Sequence, residues 1–153
     1  MMTLSTKETN LLKDMKGQEQ LCIDKYEKYA AEACSEELKT LFQTLADQER
    51  THLTTVTDMM NGKVGAVGGS GSSKLNQVSC GKASYQSEEC KKKDAFLCSD
   101  MLTTEKHVSS LYNTGIFEFA DAQARNTLNH IQSEEQQHGL KIYDFMNANG
   151  MYQ

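Results

Sequence analysis

Four long α-helices, arranged as two consecutive hairpins, are predicted by this sequence, and three observations predict them. The 153 residues contain no proline, the residue that breaks helices. Apolar residues recur every three or four positions over four separate stretches. Two stretches, 7–61 and 94–149, also resemble each other without a gap at a constant offset of 86. Asp14-Met15 reappears as Asp100-Met101, Glu19 as Glu105 and Tyr26 as Tyr112. Glu49 and His52 reappear as Glu135 and His138, and Met60-Asn61 as Met146-Asn147. The chain is an internal duplication of one helical hairpin.

The first helix carries Leu12, Met15, Glu19, Cys22, Tyr26, Tyr29 and Ala33 along one seam. The second carries Leu38, Phe42, Leu45, Glu49, His52, Val56 and Met59, with Ser35 as its N-cap and Gly62 at its end. The third carries Cys98, Met101, Glu105, Val108, Tyr112, Gly115 and Phe119. The fourth carries Ala124, Leu128, Ile131, Glu135, His138, Ile142 and Phe145, between Asp121 as N-cap and Gly150. Each seam has the spacing of a helix face that buries itself against other helices.

Residues 62–93 have no apolar period and contain the run Gly68-Gly69-Ser70-Gly71-Ser72-Ser73. They read as a flexible crossover, unusually long for a compact domain. A second helix of about 36 Å explains the length: if the second and third helices run parallel, the connection must travel back along the assembly. One long crossover between two hairpins is the ferritin-like four-helix bundle topology, here as a single domain over 1–153.

The middle of every seam is a carboxylate, joined by histidine in the second and fourth helices. Four buried carboxylates converging at one level repel one another and are costly to desolvate. Two divalent cations would balance them with both imidazoles neutral. In Glu49-Arg50-Thr51-His52 and Glu135-Gln136-Gln137-His138 the ligands are three apart and share a helix face. Each motif lies thirty residues after a seam glutamate, Glu19 or Glu105. Two lone glutamates plus two Glu-x-x-His motifs make a carboxylate-bridged dimetal set. The predicted ligands are therefore Glu19, Glu49, His52, Glu105, Glu135 and His138, against a vestigial polar core as the alternative. Iron comes first, with manganese or zinc also suited to histidine and carboxylate. Tyr26 and Tyr112, two turns past their glutamates, are core tyrosines or hydrogen-bond a ligand from behind. His107 and His130 lie off the seams and read as surface residues.

The net charge of −5 excludes a basic footprint for nucleic acid, and Lys91-Lys92-Lys93 reads as a solvated loop end. No apolar run is long enough to cross a membrane. The polar start, Met1–Glu8, does not read as a signal peptide, so synthesis in the cytoplasm is expected. The five cysteines (22, 34, 80, 90 and 98) include no C-x-x-C, against a zinc ribbon or a rubredoxin-type iron site. Their spacing leaves the pairing open. Cys80 and Cys90, in the crossover, are expected to pair or to cross-link neighbouring molecules, and Cys22 to stay a buried thiol.

Two resemblances follow from these residues. Glu19-Gln20-Leu21-Cys22, Tyr26 and the later E-x-x-H motifs resemble rubrerythrin and its relatives. The segments Met15–Tyr26, Leu41-Phe42 and Gln48–His52 resemble, more closely, the coat F family of spore coat proteins. The coat F resemblance implies a component of the spore coat, assembled with copies of itself or with other coat proteins, with disulfide cross-links. The rubrerythrin resemblance implies a di-iron ferroxidase or peroxide scavenger, although the rubredoxin domain that supplies rubrerythrin with electrons is missing.

Overall fold

The computed structural model describes residues 1–65 and 71–152, with backbone alone at 71–73. Its helices are α1 (Thr6–Glu32), α2 (Glu36–Met60), α3 (Gly71–Asn76), α4 (Glu88–Glu118) and α5 (Ala122–Ala148). No strand occurs among the described residues. The protein is all-helical, as the periodicity requires.

Each long helix starts at a side-chain cap. Ser5, Ser35, Ser87 and Asp121 accept hydrogen bonds from Glu8, Leu38, Cys90 and Ala124 N–H respectively, and Ser5 with Glu8 forms a capping box. Gly62 and Gly150, just past α2 and α5, adopt φ of +79° and +66°, where a Cβ would be strained. All the seam residues are buried except Tyr29, which is half-buried.

Contacts at the helix ends fix the topology. Met2 N–H donates to Gly62 O, so α2 ends where α1 begins. Asp94, near the start of α4, accepts from Cys34 and Ser35 N–H in the α1–α2 turn. Glu8, near the start of α1, accepts from Ala120 N–H in the α4–α5 turn. Hence α2 and α4 run parallel, and the chain between them travels the length of the helices. Glu8 and Asp94 are duplicate positions, as are Cys34 and Ala120. The first helix of each hairpin pins the turn of the other.

The crossover is not a free strap. Positions 66–70, with the first half of its glycine-serine run, lie outside the described residues, but much of the remainder packs on the core. Leu75 and Ala83 are buried, and Val78 and Tyr85 lie against the core. Asn149 clasps the segment, accepting from Ala83 N–H at 2.8 Å and donating to Gly81 O at 3.3 Å. Tyr85 donates to Asp94 at 2.7 Å. Helix α4 begins at Glu88, before the expected boundary at 94, and Lys91–Lys93 lie within it rather than at a loop end.

The cysteine expectation is also corrected. Cys90 is bonded to Cys34, with Cα atoms 5.7 Å apart and a sequence separation of 56. Cys80 is a half-buried free thiol, and Cys22 and Cys98 are buried thiols. The pin of Asp94 on the α1–α2 turn brings Cys34 to the first turn of α4, where Cys90 lies. The bond joins the two hairpins, and closing a loop of this length contributes roughly 4 kcal/mol in the chain-entropy picture.

Candidate metal centre

The four long helices present their seam carboxylates at one level. Glu19 comes from α1, Glu49 and His52 from α2, Glu105 from α4, and Glu135 and His138 from α5; all six are at most 2% exposed. They form two groups, Glu19-Glu49-His52-Glu135 and Glu49-Glu105-Glu135-His138, each with one ligand atom per residue within 4.8 Å of the others. Glu49 and Glu135 belong to both. The six predicted residues are thus brought together, with the two E-x-x-H glutamates in the shared position.

The histidines are aimed by their outer nitrogens. His52 Nε2 lies 3.0 Å from Glu134 Oε1, and His138 Nε2 lies 2.7 Å from Gln48 Oε1. Both partners are acceptors, so each Nε2 carries the proton and Nδ1 faces the carboxylates. Nδ1 of His52 is 2.9 Å from Glu135 Oε1 and 3.5 Å from both Glu19 Oε2 and Glu49 Oε1. Nδ1 of His138 is 2.8 Å from Glu49 Oε1 and Glu105 Oε2, and 3.6 Å from Glu135 Oε2. The two rings stack, with centroids 5.6 Å apart.

Even a doubly protonated ring offers a single Nδ1 proton, which cannot satisfy the three carboxylates around it. Glu19 Oε2, both oxygens of Glu49, Glu105 Oε1 and Glu135 Oε2 are buried without a well-aligned hydrogen bond, Glu49 Oε1 despite its 2.8 Å approach to His138 Nδ1. So many unpaired buried acceptors in one place are what a bound cation, or protonation of some of the carboxylates, would relieve. Burial and mutual repulsion also set which of these groups hold protons. Burial, then repulsion from Glu49 and Glu135, holds Glu19 well above the ordinary carboxylate range. Burial, then Glu135 and Glu49, does the same to Glu105. Burial opposes charge on the histidines, but the carboxylates outweigh it and raise both pKa values, Glu134 first for His52 and Glu105 first for His138. Burial would raise Glu135 too, yet hydrogen bonding from Glu105 and the two histidines holds it well below the usual range.

The tyrosines differ. Tyr112 donates to Glu19 Oε1 at 2.9 Å, from α4 across to α1. Tyr26 is buried with its hydroxyl unpartnered, as is Oε1 of Glu105, the glutamate its duplicate position would serve. Cys22 lies buried beside the cluster, and burial pushes its thiol pKa up, so it is a thiol and not a thiolate ligand. Of the other histidines, His107 is exposed, whereas His130 is half-buried and reaches Glu134 Oε1 at 3.3 Å.

Gln48 and Glu134 are the residues that sequence reasoning missed. They precede the candidate ligands Glu49 and Glu135 and occupy duplicate positions. Each serves the histidine of the other hairpin. Their difference makes the two halves unequal, because a carboxylate behind His52 makes that ring a stronger donor than an amide behind His138. Metal is therefore expected to bind in two steps, the His52 half first. Glu134→Gln should weaken the first step by roughly tenfold or more and merge the isotherm, while Gln48→Glu should strengthen the second. Calorimetric titration with Zn2+ reads both; an isotherm unchanged in Glu134→Gln would refute the asymmetry.

A search of curated proteins and of solved structures finds no match for the chain. Among protein families, the Coat F domain matches residues 93–153. The match falls on the second hairpin, not on segments 15–26 and 48–52 that carry the resemblance in the first. Similarity to the Coat F domain thus covers α4 from residue 93 onward, α5 and one Glu-x-x-His motif of the candidate centre.

Proposed function

We propose that the protein is a spore coat component with a ferritin-like four-helix fold and a carboxylate-bridged dimetal centre, iron being the first candidate. One observation carries the metal reading: Glu49 and Glu135 each belong to both four-residue ligand groups, as bridging carboxylates must. Glu19 and His52 would complete one metal position, and Glu105 and His138 the other. When bound, iron would supply redox chemistry toward oxygen or peroxide. The chain's own residues fix the imidazole tautomers and position the bridging glutamates. The coat reading is supported by the Coat F match over residues 93–153. Coat location and association with other coat proteins follow from that reading.

A di-iron oxidoreductase, as ferroxidase or peroxide scavenger, is the second reading. A cleft that reaches Glu105 and Glu135 favours it.

The deciding experiment is elemental analysis of the protein from its native source, beside metal titration of two variants. Two equivalents per chain are expected. His52→Ala and His138→Ala should each lose about one, with helicity unchanged by circular dichroism. Equal loss on changing His107 or His130 would remove the assignment.

A further inference from the structure

The duplication makes the two hairpins nearly interchangeable around the centre, so the places where they differ are informative. On the outer face of the second hairpin, a cleft of about 440 Å³ lies between α4 and α5. Its lining includes the ligands Glu105 and Glu135, with Ser109 and Gly139 beside them and Tyr143 and Tyr152 at its mouth. The two tyrosine rings meet edge to face with centroids 4.9 Å apart. Although Glu105 and Glu135 are at most 2% exposed, the cleft descends to them.

The first hairpin carries Ile23 where the second has Ser109, and Leu53 where it has Gly139. Ile23 is 4% exposed, a branched side chain packed beside the duplicate ligand Glu19. Gly139 has no side chain to fill the α4–α5 seam, and a Cβ built there would meet Leu102 Cδ1 at 3.6 Å. A small hydroxyl and a glycine therefore stand where the first hairpin has two branched aliphatic groups. Two such differences on adjacent helices, both flanking the candidate ligands, give the α4–α5 face less side-chain volume there than the α1–α2 face, where Ile23 is buried and Leu53 half-buried.

We propose that the α4–α5 cleft is the entrance through which small solutes of two or three heavy atoms reach the buried centre, and that the α1–α2 face is closed to them. The solutes are metal-coordinating anions and neutral oxidants of peroxide size. The inference rests on the dimetal reading. It assigns Ser109 and Gly139 as the residues that keep the way open.

Azide, a three-atom anion, is the probe, and Co2+ the reporter ion, because its absorption shifts when an anion joins its coordination shell. In stopped-flow mixing, Co2+-loaded Ser109→Ile and Gly139→Leu should take up azide at least tenfold more slowly than the parent. Gly139→Ala should fall between, and its added methyl makes only ordinary contact, so it tests the entrance even if Gly139→Leu misfolds. The number of Co2+ bound at equilibrium should stay at two throughout. Failure of the parent to bind Co2+ would defeat the dimetal reading itself. Two bound Co2+ with no azide binding, or with parental azide rates in folded variants, would overturn the entrance alone.

Discussion

Metal-stripped protein is expected to lose stability as the pH rises from about 5 to about 8, and metal-loaded protein to gain it. Without metal, Glu19 and Glu105 are held above the ordinary carboxylate range, and His52 and His138 above the ordinary imidazole range. The folded state then holds protons that the unfolded chain has released. Stability from such groups is complete below their unfolded pKa values and drains away as pH climbs toward the folded ones. For the glutamates the loss begins above about 4.5, and for the histidines above about 6.5. Each retained proton contributes a slope of up to about 1.4 kcal/mol per pH unit. Glu135 acts oppositely: its depressed pKa gives stability that is lost only as pH falls below about 4.5. The stripped fold should therefore be most stable in mildly acid solution.

Metal reverses the sign, because it must displace those protons to bind. Its stabilisation grows with pH and, for each site held at a thousand times its dissociation constant, reaches about 4 kcal/mol. Melting temperatures across this pH range, with chelator and with saturating Zn2+, should give opposite slopes. Parallel slopes would mean that the cluster does not hold the metal.

Asp94→Ala should be the most damaging single change away from the centre, by about 3 to 5 kcal/mol. Asp94 is fully buried and accepts from Cys34 N–H at 2.8 Å, Ser35 N–H at 3.0 Å and Tyr85 hydroxyl at 2.7 Å. Alanine would strand all three donors at the junction of the α1–α2 turn, the crossover and α4. Glu8→Ala, at the duplicate position, should cost about 1 kcal/mol, because its bond to Ala120 N–H is a long 3.4 Å. Tyr85→Phe removes one donor and should cost about 1 kcal/mol. Urea unfolding of the three variants in the presence of chelator separates these values from any change in metal affinity. An Asp94→Ala protein within 1 kcal/mol of the parent would refute the pin.

The seams were legible because helix period and burial coincide at nearly every position, and the six candidate ligands were legible because charge interrupts the seam at matched places. Tyr29 departs from the pattern for a local reason. Its hydroxyl donates to Asp100, which pushes its pKa up to about 12 and draws the ring toward the surface, where Lys25 joins the same carboxylate. Gln48 and Glu134 escaped notice because a residue next to a seam position points some 100° away from it. Their role appears only once α2 and α5 face each other. Glu8 and Asp94 were hidden because the duplication preserves their chemistry and not their identity. The Cys34–Cys90 pair depends on that same pin, which no spacing rule encodes. The described part of the crossover has no sustained period, since Leu75 meets the core from the short α3 and Val78, Ala83 and Tyr85 meet it from irregular backbone.

The exchange of polar contacts between hairpins has a consequence for how such a chain can arise and diverge. Glu8 and Asp94 each reach the opposite turn, and Gln48 and Glu134 each hold the opposite histidine. That is the pattern of an isologous interface, in which patch i meets j and j meets i, as in a two-fold symmetric homodimer. The chain is in effect a dimer whose protomers have been fused. A lone hairpin would carry one Glu-x-x-His motif, one lone glutamate and an uncapped turn, and would need a second copy to complete them. Fusion removes the constraint that both copies be identical. A homodimer cannot place isoleucine on one face and serine on the other, or leucine opposite glycine, but a tandem chain can. Tethering thus does more than raise the local concentration of the second half: it permits a symmetric cage to acquire a front and a back.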